Sequence, residues 1–184
     1  MRTRALALGS TLAFLMLSGP AAWADTDSEY EREGAYLGLG GVGALANTSG
    51  RFSSLDSTGG IDLIAGYRMA PQLGIELFGE WLGYQGTNAG FFGVTLKLFM
   101  AELFDQMIMD GVIQPYLYGS AGFIMVRNTR DNMEMGGNFR GGAGVDFYVT
   151  PEVAIYTQVE YSGSGGYASG IESTNFKLGA LYRF

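Results

Sequence analysis

The stretch FKLGALYRF at residues 176–184 closes the sequence and decides the fold. Counting back from Phe184, every second residue is apolar, whereas the positions between them include the cations Lys177 and Arg183. A period of two residues is typical of a β-strand with one apolar and one polar face. We therefore predict a final strand with no polar tail after it. Its apolar face must be covered by other residues or by an apolar phase.

The first residues, 1–24, have the pattern of a cleavable secretory signal peptide. Arg2 and Arg4 give a basic start, residues 5–17 are apolar, and AWA at 22–24 fits a small-x-small cleavage site. The apolar stretch is shorter than the roughly 20 residues that a membrane-spanning helix needs. We predict that 1–24 is removed and contributes nothing to the fold.

Charge and composition narrow the class of protein. The chain has 18 acidic and 11 basic residues, and losing Arg2 and Arg4 with the signal leaves 9 basic residues against the 18 acidic ones. Such an excess of negative charge argues against nucleic acid as a partner. The chain has no Cys, and therefore no disulfide framework. Its 30 glycines and 14% aromatic residues, without a long helical apolar period after the signal, indicate a mainly β protein.

Eight alternating segments, each near the length of a tilted transmembrane strand, are separated by turn-rich connectors. Their connectors MAPQ and VTPE are tight, whereas four others are longer and polar, which is the pattern of an up-and-down barrel. The connector near 101–112 is long and apolar, and either a short amphipathic helix or a strand extension would fit it. The predicted strands are 35–45, 60–69, 73–83, 91–101, 113–126, 137–148, 153–162 and 173–184.

The charges of these strands are predicted to share a single surface. Pairs such as Asp62 with Arg68 are separated by an even number of residues, so both members lie on one face of their strand. Five acids against five bases favour a paired network that fills a narrow lumen, although the same residues could line an ion path. The predicted lumen charges are Asp62, Arg68, Glu76, Glu80, Lys97, Arg140, Asp146, Glu160, Lys177 and Arg183.

The sequence also aligns with itself at an offset of 80 residues. YRMAPQLGIELFGEW at 67–81 can be laid over FYVTPEVAIYTQVEY at 147–161, which brings Glu80 onto Glu160. Two four-stranded halves would explain this alignment, and so would a chance match between hairpins of equal length.

Alternation alone does not say which face points outward. A soluble lipocalin-like barrel would expose its charges and hold an apolar ligand, whereas a membrane barrel has an apolar outer band and a polar interior. Aromatic residues near both ends of the predicted outer face favour the membrane, because they form two interfacial girdles. The girdle residues are Trp81, Phe92, Tyr161 and Phe176 on the loop side, and Tyr67, Phe147, Tyr182 and Phe184 on the turn side.

The final strand resembles the closing strand of bacterial outer-membrane barrels, and over 34–184 the chain is similar to the OmpA/OmpX-type, opacity-protein-like small surface barrels. The resemblance implies that Tyr182 and Phe184 form a signal read by the barrel assembly machinery. It also implies that the apolar face meets outer-membrane lipid. The sequence stops at Phe184, without the peptidoglycan-binding domain of OmpA, so we expect no anchoring of that kind.

Motifs for catalysis or cofactors are weak. GLGGVG at 38–43 matches a dinucleotide-binding pattern, but a loop rather than a helix is predicted after it, so the glycines are expected to make room for bulky lumen neighbours. The alternating acids of 25–33 lack the glycine of a calcium loop and predict a solvated periplasmic segment. The outer-membrane enzymes known to us use a histidine base, and this chain has neither His nor a Cys nucleophile. We therefore expect no enzyme, cofactor or metal site.

The sequence thus predicts an all-β protein, an eight-stranded antiparallel up-and-down transmembrane β-barrel at 34–184, after an acidic periplasmic segment at 25–33. Its predicted role is that of an integral outer-membrane surface protein that supports the envelope or binds partners through its loops. A narrow porin-like channel and a secreted lipocalin-like binder are the alternatives. Partner specificity is expected in the loops, at Arg51, Asp56, Arg127, Arg130, Asp131 and Glu134.

Overall fold

The computed structural model describes residues 29–48, 57–84, 87–100, 111–127, 133–166, 168–169 and 171–184. Eight antiparallel strands follow one another in chain order and close into a barrel, which confirms the predicted fold class. The signal peptide, most of the 101–112 connector, and the loop residues Arg51, Asp56, Arg130 and Asp131 lie outside the described residues. The strands are β1 (Gly34–Thr48), β2 (Ser57–Ala70), β3 (Leu73–Tyr84), β4 (Thr87–Phe99), β5 (Ile113–Arg127), β6 (Met133–Tyr148), β7 (Val153–Gly166) and β8 (Ile171–Arg183).

Several strands are longer than predicted at the ends that carry the polar loops. Stretches expected to be loop, such as 87–90, 133–135 and 163–166, continue the strands and pair with their neighbours. Glycine and small polar residues have a low intrinsic preference for strands, but a backbone that finds a partner on the adjacent strand is held by the ladder whatever its side chains. The predicted boundaries were therefore wrong at these ends.

No helix among the described residues is long and apolar enough to cross a membrane.

The register of the strand pairs fixes the tilt of the barrel. Stepping from Leu37 of β1 across each strand pair in turn, the path returns to β1 at Asn47, ten residues further along the strand. Strands of a closed barrel with such a stagger tilt by roughly 35–45° from its axis. Each residue then advances about 2.5 Å along the axis, given a rise of about 3.3 Å along the strand.

The two ends of the barrel differ. Gly34 pairs with Arg68, and Tyr36 pairs with Arg183, so both ends of the barrel sequence lie beside the tight turns at 71–72 and 149–152. We call this the turn end and the opposite end the loop end. Short turns face the periplasm in barrels of this kind.

The outer wall is apolar over most of its height. Outward side chains such as Leu39, Leu63, Leu96, Phe139 and Leu178 are between 53% and 69% exposed. Residues that alternate with them are buried inside the barrel, as the period of two requires. An apolar exterior of this extent is stable only in contact with lipid or another apolar phase.

Candidate functional site: the filled lumen

All ten charges that the sequence places on one face lie inside the barrel. The most exposed of them, Lys177, is 6% exposed, and Asp62 is fully buried. Their even spacing within the strands puts them on the inner face, and the tilt of the strands distributes them over three layers along the barrel axis. We name these the upper, middle and mouth layers, from the loop end toward the turn end.

The upper layer contains Asp62, Glu80, Arg140, Glu160 and Lys177. Arg140 Nη1 lies 2.8 Å from Glu80 Oε2 and also 2.8 Å from Glu160 Oε1. Lys177 Nζ lies 2.8 Å from Glu80 Oε2, 3.4 Å from Glu160 Oε1 and 3.6 Å from Asp62 Oδ1. Two cations therefore hold three carboxylates in a network of short contacts, which is what charges need when they are removed from water.

Neutral side chains complete the hydrogen bonding of this layer. The Tyr118 hydroxyl donates to Glu160 Oε2 at 3.0 Å, and Asn175 Nδ2 donates to Glu160 Oε1 at 2.7 Å. The Tyr156 hydroxyl donates to Asp62 Oδ2 at 3.0 Å. Buried carboxylates with such donors keep their charge at a lower cost in free energy.

The middle layer is built around Lys97. Its Nζ lies 2.7 Å from Glu76 Oε1 and 4.0 Å from Asp146 Oδ2, and 4.2 Å from the centre of the Tyr116 ring. The Tyr36 hydroxyl donates to the same Glu76 oxygen at 2.8 Å. One ammonium group is thus enclosed by two carboxylates and an aromatic face, and no part of it reaches solvent.

The mouth layer contains Arg68 and Arg183, and both arginines bind the chain segment that precedes β1. Arg183 Nη1 donates to the Tyr30 carbonyl at 2.6 Å, and Arg68 Nη1 donates to the same oxygen at 3.4 Å. Glu31 is only 5% exposed. The expectation of a solvated segment is therefore wrong for Glu31, because the mouth of the barrel takes this residue out of water.

An apolar cluster, the apolar cap, fills part of the lumen at the loop end beside buried polar residues such as Asn138 and Ser162, so the predicted polar interior holds only in part there. Phe78 and Phe91 lie directly against the upper layer, with the Arg140 guanidinium 4.9 Å and 4.4 Å from their ring centres. Ala168, from the short segment between β7 and β8, is fully buried in the cap. The cap consists of Val42, Ala44, Phe78, Leu82, Ala89, Phe91, Ile124, Val126, Ala168 and Ile171.

The sequence analysis missed the apolar cap and the neutral lumen residues, although the two-residue period of the strands places both on the inner face. Phe78 lies between Glu76 and Glu80 at the same parity, and Tyr118 shares the parity of Gln114. Reading every residue that shares the parity of a charge would have found those on the charged strands, such as Phe78. The predicted strands 35–45 and 113–126 contain no charge, so Tyr36 and Tyr118 had no such signal. The missed polar residues are Tyr36, Thr58, Gln114, Tyr116, Tyr118, Ser120, Asn138, Tyr148, Tyr156, Gln158, Ser162, Ser173 and Asn175.

The eight aromatic residues predicted as girdles all lie on the outer wall. Tyr67 is half-buried, and the other seven are between 40% and 56% exposed. Phe123 and Phe139 add two outward rings at the loop end, with Phe123 centred 5.6 Å from Phe92. The sequence analysis omitted these two. The loop-end ring is therefore Trp81, Phe92, Phe123, Phe139, Tyr161 and Phe176.

The glycines of 38–43 belong to β1, and the described residues after them continue this strand to Thr48 instead of beginning a helix, so the dinucleotide pattern lacks its structural context. A Cβ on Gly38 would lie 2.5 Å from Leu181, and one on Gly40 would meet the Tyr156 hydroxyl. Within the described residues, no group of three or more His, Cys, Asp or Glu is arranged to hold a metal.

Lumen tyrosines lie over glycines of the adjacent strand, as Tyr116 lies over its paired residue Gly144. A Cβ built on Gly144 would be 2.5 Å from Tyr116 Cζ, closer than carbon atoms approach without displacement. We expect Gly144→Ala to lower the free energy of unfolding by about 1–3 kcal/mol, because the rigid ring has to move. Urea unfolding in lipid vesicles measures the change. Gly141→Ala on the same strand is the control, since its Cβ meets nothing within 4 Å, and an equal loss there would contradict the packing argument.

A closed barrel with a charge-filled lumen, an apolar wall and aromatic girdles defines an integral protein of the bacterial outer membrane. The chain belongs to the outer membrane protein beta-barrel domain family, whose model matches residues 10–184. This confirms the predicted family and location. Among curated proteins, none matches the chain significantly.

Solved structures show the same fold at low sequence identity. Neisserial surface protein A matches with a TM-score of 0.65 and 19% identity, over 82% of this chain and 97% of its own. OprG of Pseudomonas aeruginosa matches with a TM-score of 0.57 and 13% identity, over 86% and 99%. Ail, the attachment invasion locus protein of Yersinia pestis, matches with a TM-score of 0.56 and 17% identity, over 83% and 100%.

Proposed function

We propose that the protein is a closed, non-conducting barrel that supports the outer membrane and carries surface loops for external partners. The filling of the lumen is the observation that supports this role over a channel. An ion entering from the loop end would have to part the apolar cap, then the upper layer, and then the middle layer. Each of these three steps would separate buried side chains from the groups they contact, which costs free energy.

Two cavities that the described residues line inside the barrel are small. One cavity of about 10 Å³ lies beside Asp62, Tyr118 and Lys177. A second cavity of about 10 Å³ lies between Tyr36 and Arg183. A water molecule needs about 10–15 Å³ of such volume, so each cavity has room for about one water. Within the part of the lumen that the described residues line, two such isolated waters do not make a hydrated path.

We expect the purified protein to give no unitary conductance steps in planar lipid bilayers, because the side chains of the described strands fill the lumen with paired charges and apolar groups. A porin recorded in the same bilayers serves as the positive control. A gel in which the folded band shifts only on boiling verifies that the barrel is intact. Reproducible steps from intact protein would overturn the closed-barrel proposal and support the narrow channel.

The loops are the proposed site of partner binding. Of the residues predicted for this role, Arg127 is exposed at the end of β5 and Glu134 is half-buried near the start of β6. The other four lie outside the described residues. The name of Ail refers to attachment for that protein, and at 17% identity the likeness extends to the fold only.

Three further parts of the proposal concern lipid, assembly and catalysis. The outer wall is proposed to meet outer-membrane lipid. Tyr182 and Phe184, which are 51% and 56% exposed with ring centres 5.1 Å apart, are proposed to be read by the barrel assembly machinery. We also propose that the protein is not an enzyme, because its sequence lacks His and Cys and because Glu80 and Glu160 are bound by cations. The secreted lipocalin-like alternative does not fit an outer-membrane protein and is not retained.

A further inference from the structure

The two mouth arginines converge on one backbone oxygen. Arg183 and Arg68 both donate to the Tyr30 carbonyl, and Gln114 Nε2 donates to it at 3.0 Å. Arg68 and Arg183 are 1% and 3% exposed, and Gln114 is fully buried. Buried side chains of β2, β5 and β8 thus donate to a single carbonyl oxygen. A disordered terminal segment would have no use for such a set of donors.

The side chains of the segment also lie in the mouth. The Tyr30 ring packs against Tyr148, with centres 5.8 Å apart, and Arg183 donates a hydrogen bond to the Tyr148 hydroxyl. Glu31 is buried and acts electrostatically on Arg68. Arg68 is fixed from its other side by the Pro71 carbonyl, which accepts from its Nε at 3.1 Å. The arginines are therefore held in place by the barrel and present their remaining donors to the segment.

The distribution of charge explains why an acidic segment is bound there. The upper layer has three carboxylates and two cations, and the middle layer has two carboxylates and one cation. The mouth layer has two arginines, so the ten charges balance only over the whole lumen. The positive end faces residues 29–33, the described part of an acidic sequence, 25–33, that carries five acidic residues and one arginine. Opposite charges at close range in a mouth shielded from water attract more strongly than they do in solution.

We propose that the turn end of the barrel is a binding site for the chain's own acidic N-terminal segment, centred on residues 30–31, which acts as a stopper of the lumen. The site consists of Arg68, Gln114, Tyr148 and Arg183. It exists only when β8 has closed on β1, because Arg183 is next to the last residue of the chain, whereas Arg68 and Gln114 come from β2 and β5. Binding of the segment therefore follows barrel closure and adds to the stability of the closed state.

Cysteine labelling tests the proposal, since the chain has no native Cys. Glu31→Cys places a thiol at the buried position of the segment, and Glu29→Cys places one at an exposed position two residues earlier. In folded protein in detergent, a polar maleimide should label position 31 at least about tenfold more slowly than position 29, since modification requires the segment to leave the mouth. Equal labelling rates would overturn the proposal.

A second set of variants tests whether the arginines hold the segment. In the Glu31→Cys background, Arg183→Gln or Arg68→Gln should raise the labelling rate toward that of position 29. Arg127→Gln, on the exposed end of β5, should leave the rate unchanged. The boiling-dependent gel shift shows which variants retain the barrel, and two different arginine variants guard against one that fails to fold. Continued protection of position 31 in a folded Arg183→Gln or Arg68→Gln barrel would refute binding by the arginines.

Discussion

Replacing Leu96 with arginine should lower the free energy of unfolding in lipid by about 2–4 kcal/mol, because the charge is brought to the middle of the apolar band. Leu96 is 54% exposed on the outer wall of β4, between Lys97 and Thr95, whose side chains are buried in the lumen. Ile155→Arg on β7 should also destabilise but by less, since Ile155 is 46% exposed on the outer wall yet pairs with the turn-side girdle residue Phe147, near the edge of the apolar band. Urea unfolding in lipid vesicles, followed by tryptophan fluorescence, measures the loss.

Met133→Arg is the matched control for this prediction. Met133 points outward and is 63% exposed, but it lies six residues beyond Phe139 toward the loop end. At about 2.5 Å per residue along the axis, this places it about 15 Å above the loop-end aromatic ring, beyond the apolar band. The cost there should be about 0–1 kcal/mol. An equal cost at positions 96 and 133 would show that the outer wall does not meet lipid where the aromatic ring predicts.

Replacing Arg140 with methionine should destabilise the barrel by about 3–5 kcal/mol, the usual cost of breaking a buried ion pair from one side. Arg140 is the closest cation to Glu160 and one of two that contact Glu80. Methionine keeps much of the side-chain volume against Phe78 and Phe91, so the loss measures the uncompensated carboxylates rather than a cavity. The same vesicle unfolding assay gives the value.

The control for Arg140→Met is a second substitution that removes a carboxylate left without its cation. Glu80→Gln in the Arg140→Met background should recover part of the stability, whereas Glu80→Gln alone should destabilise, because Lys177 and Arg140 then lose a carboxylate. A double-mutant cycle of these variants should therefore be strongly non-additive. Additive effects would mean that the upper layer is not a coupled network.

The period of two residues was enough to predict the barrel and the faces of its strands. Lys97 between Leu96 and Leu98, and Glu160 between Val159 and Tyr161, show the alternation directly. A one-residue slip would put these charges in lipid and the leucines in the lumen, so the register is strongly specified by the sequence. The proposed duplication at an offset of 80 residues remains a prediction.

The closure of the lumen was harder to predict, because it depends on residues that are distant in sequence. The Tyr30 carbonyl is bound by donors at positions 68, 114 and 183, which have no local pattern in common. The apolar cap brings Val42 of β1 together with Ile124 of β5, from opposite sides of the barrel. Strand periodicity shows that such side chains point inward, but the packing between them follows from the tilt and stagger of the closed sheet.

The pairing of β1 with β8 determines how the wall can be crossed. Thirteen consecutive residue pairs, from Tyr36 with Arg183 to Thr48 with Ile171, join these two strands, whereas eleven join β7 to β8. The seam between the first and last strands is thus as fully bonded as an ordinary strand pair. In a bilayer, an unpaired backbone group costs several kcal/mol, since no water replaces its partner. This barrel therefore has no lateral gate at its seam, and a lipid or other apolar molecule cannot slip sideways between the lumen and the membrane there.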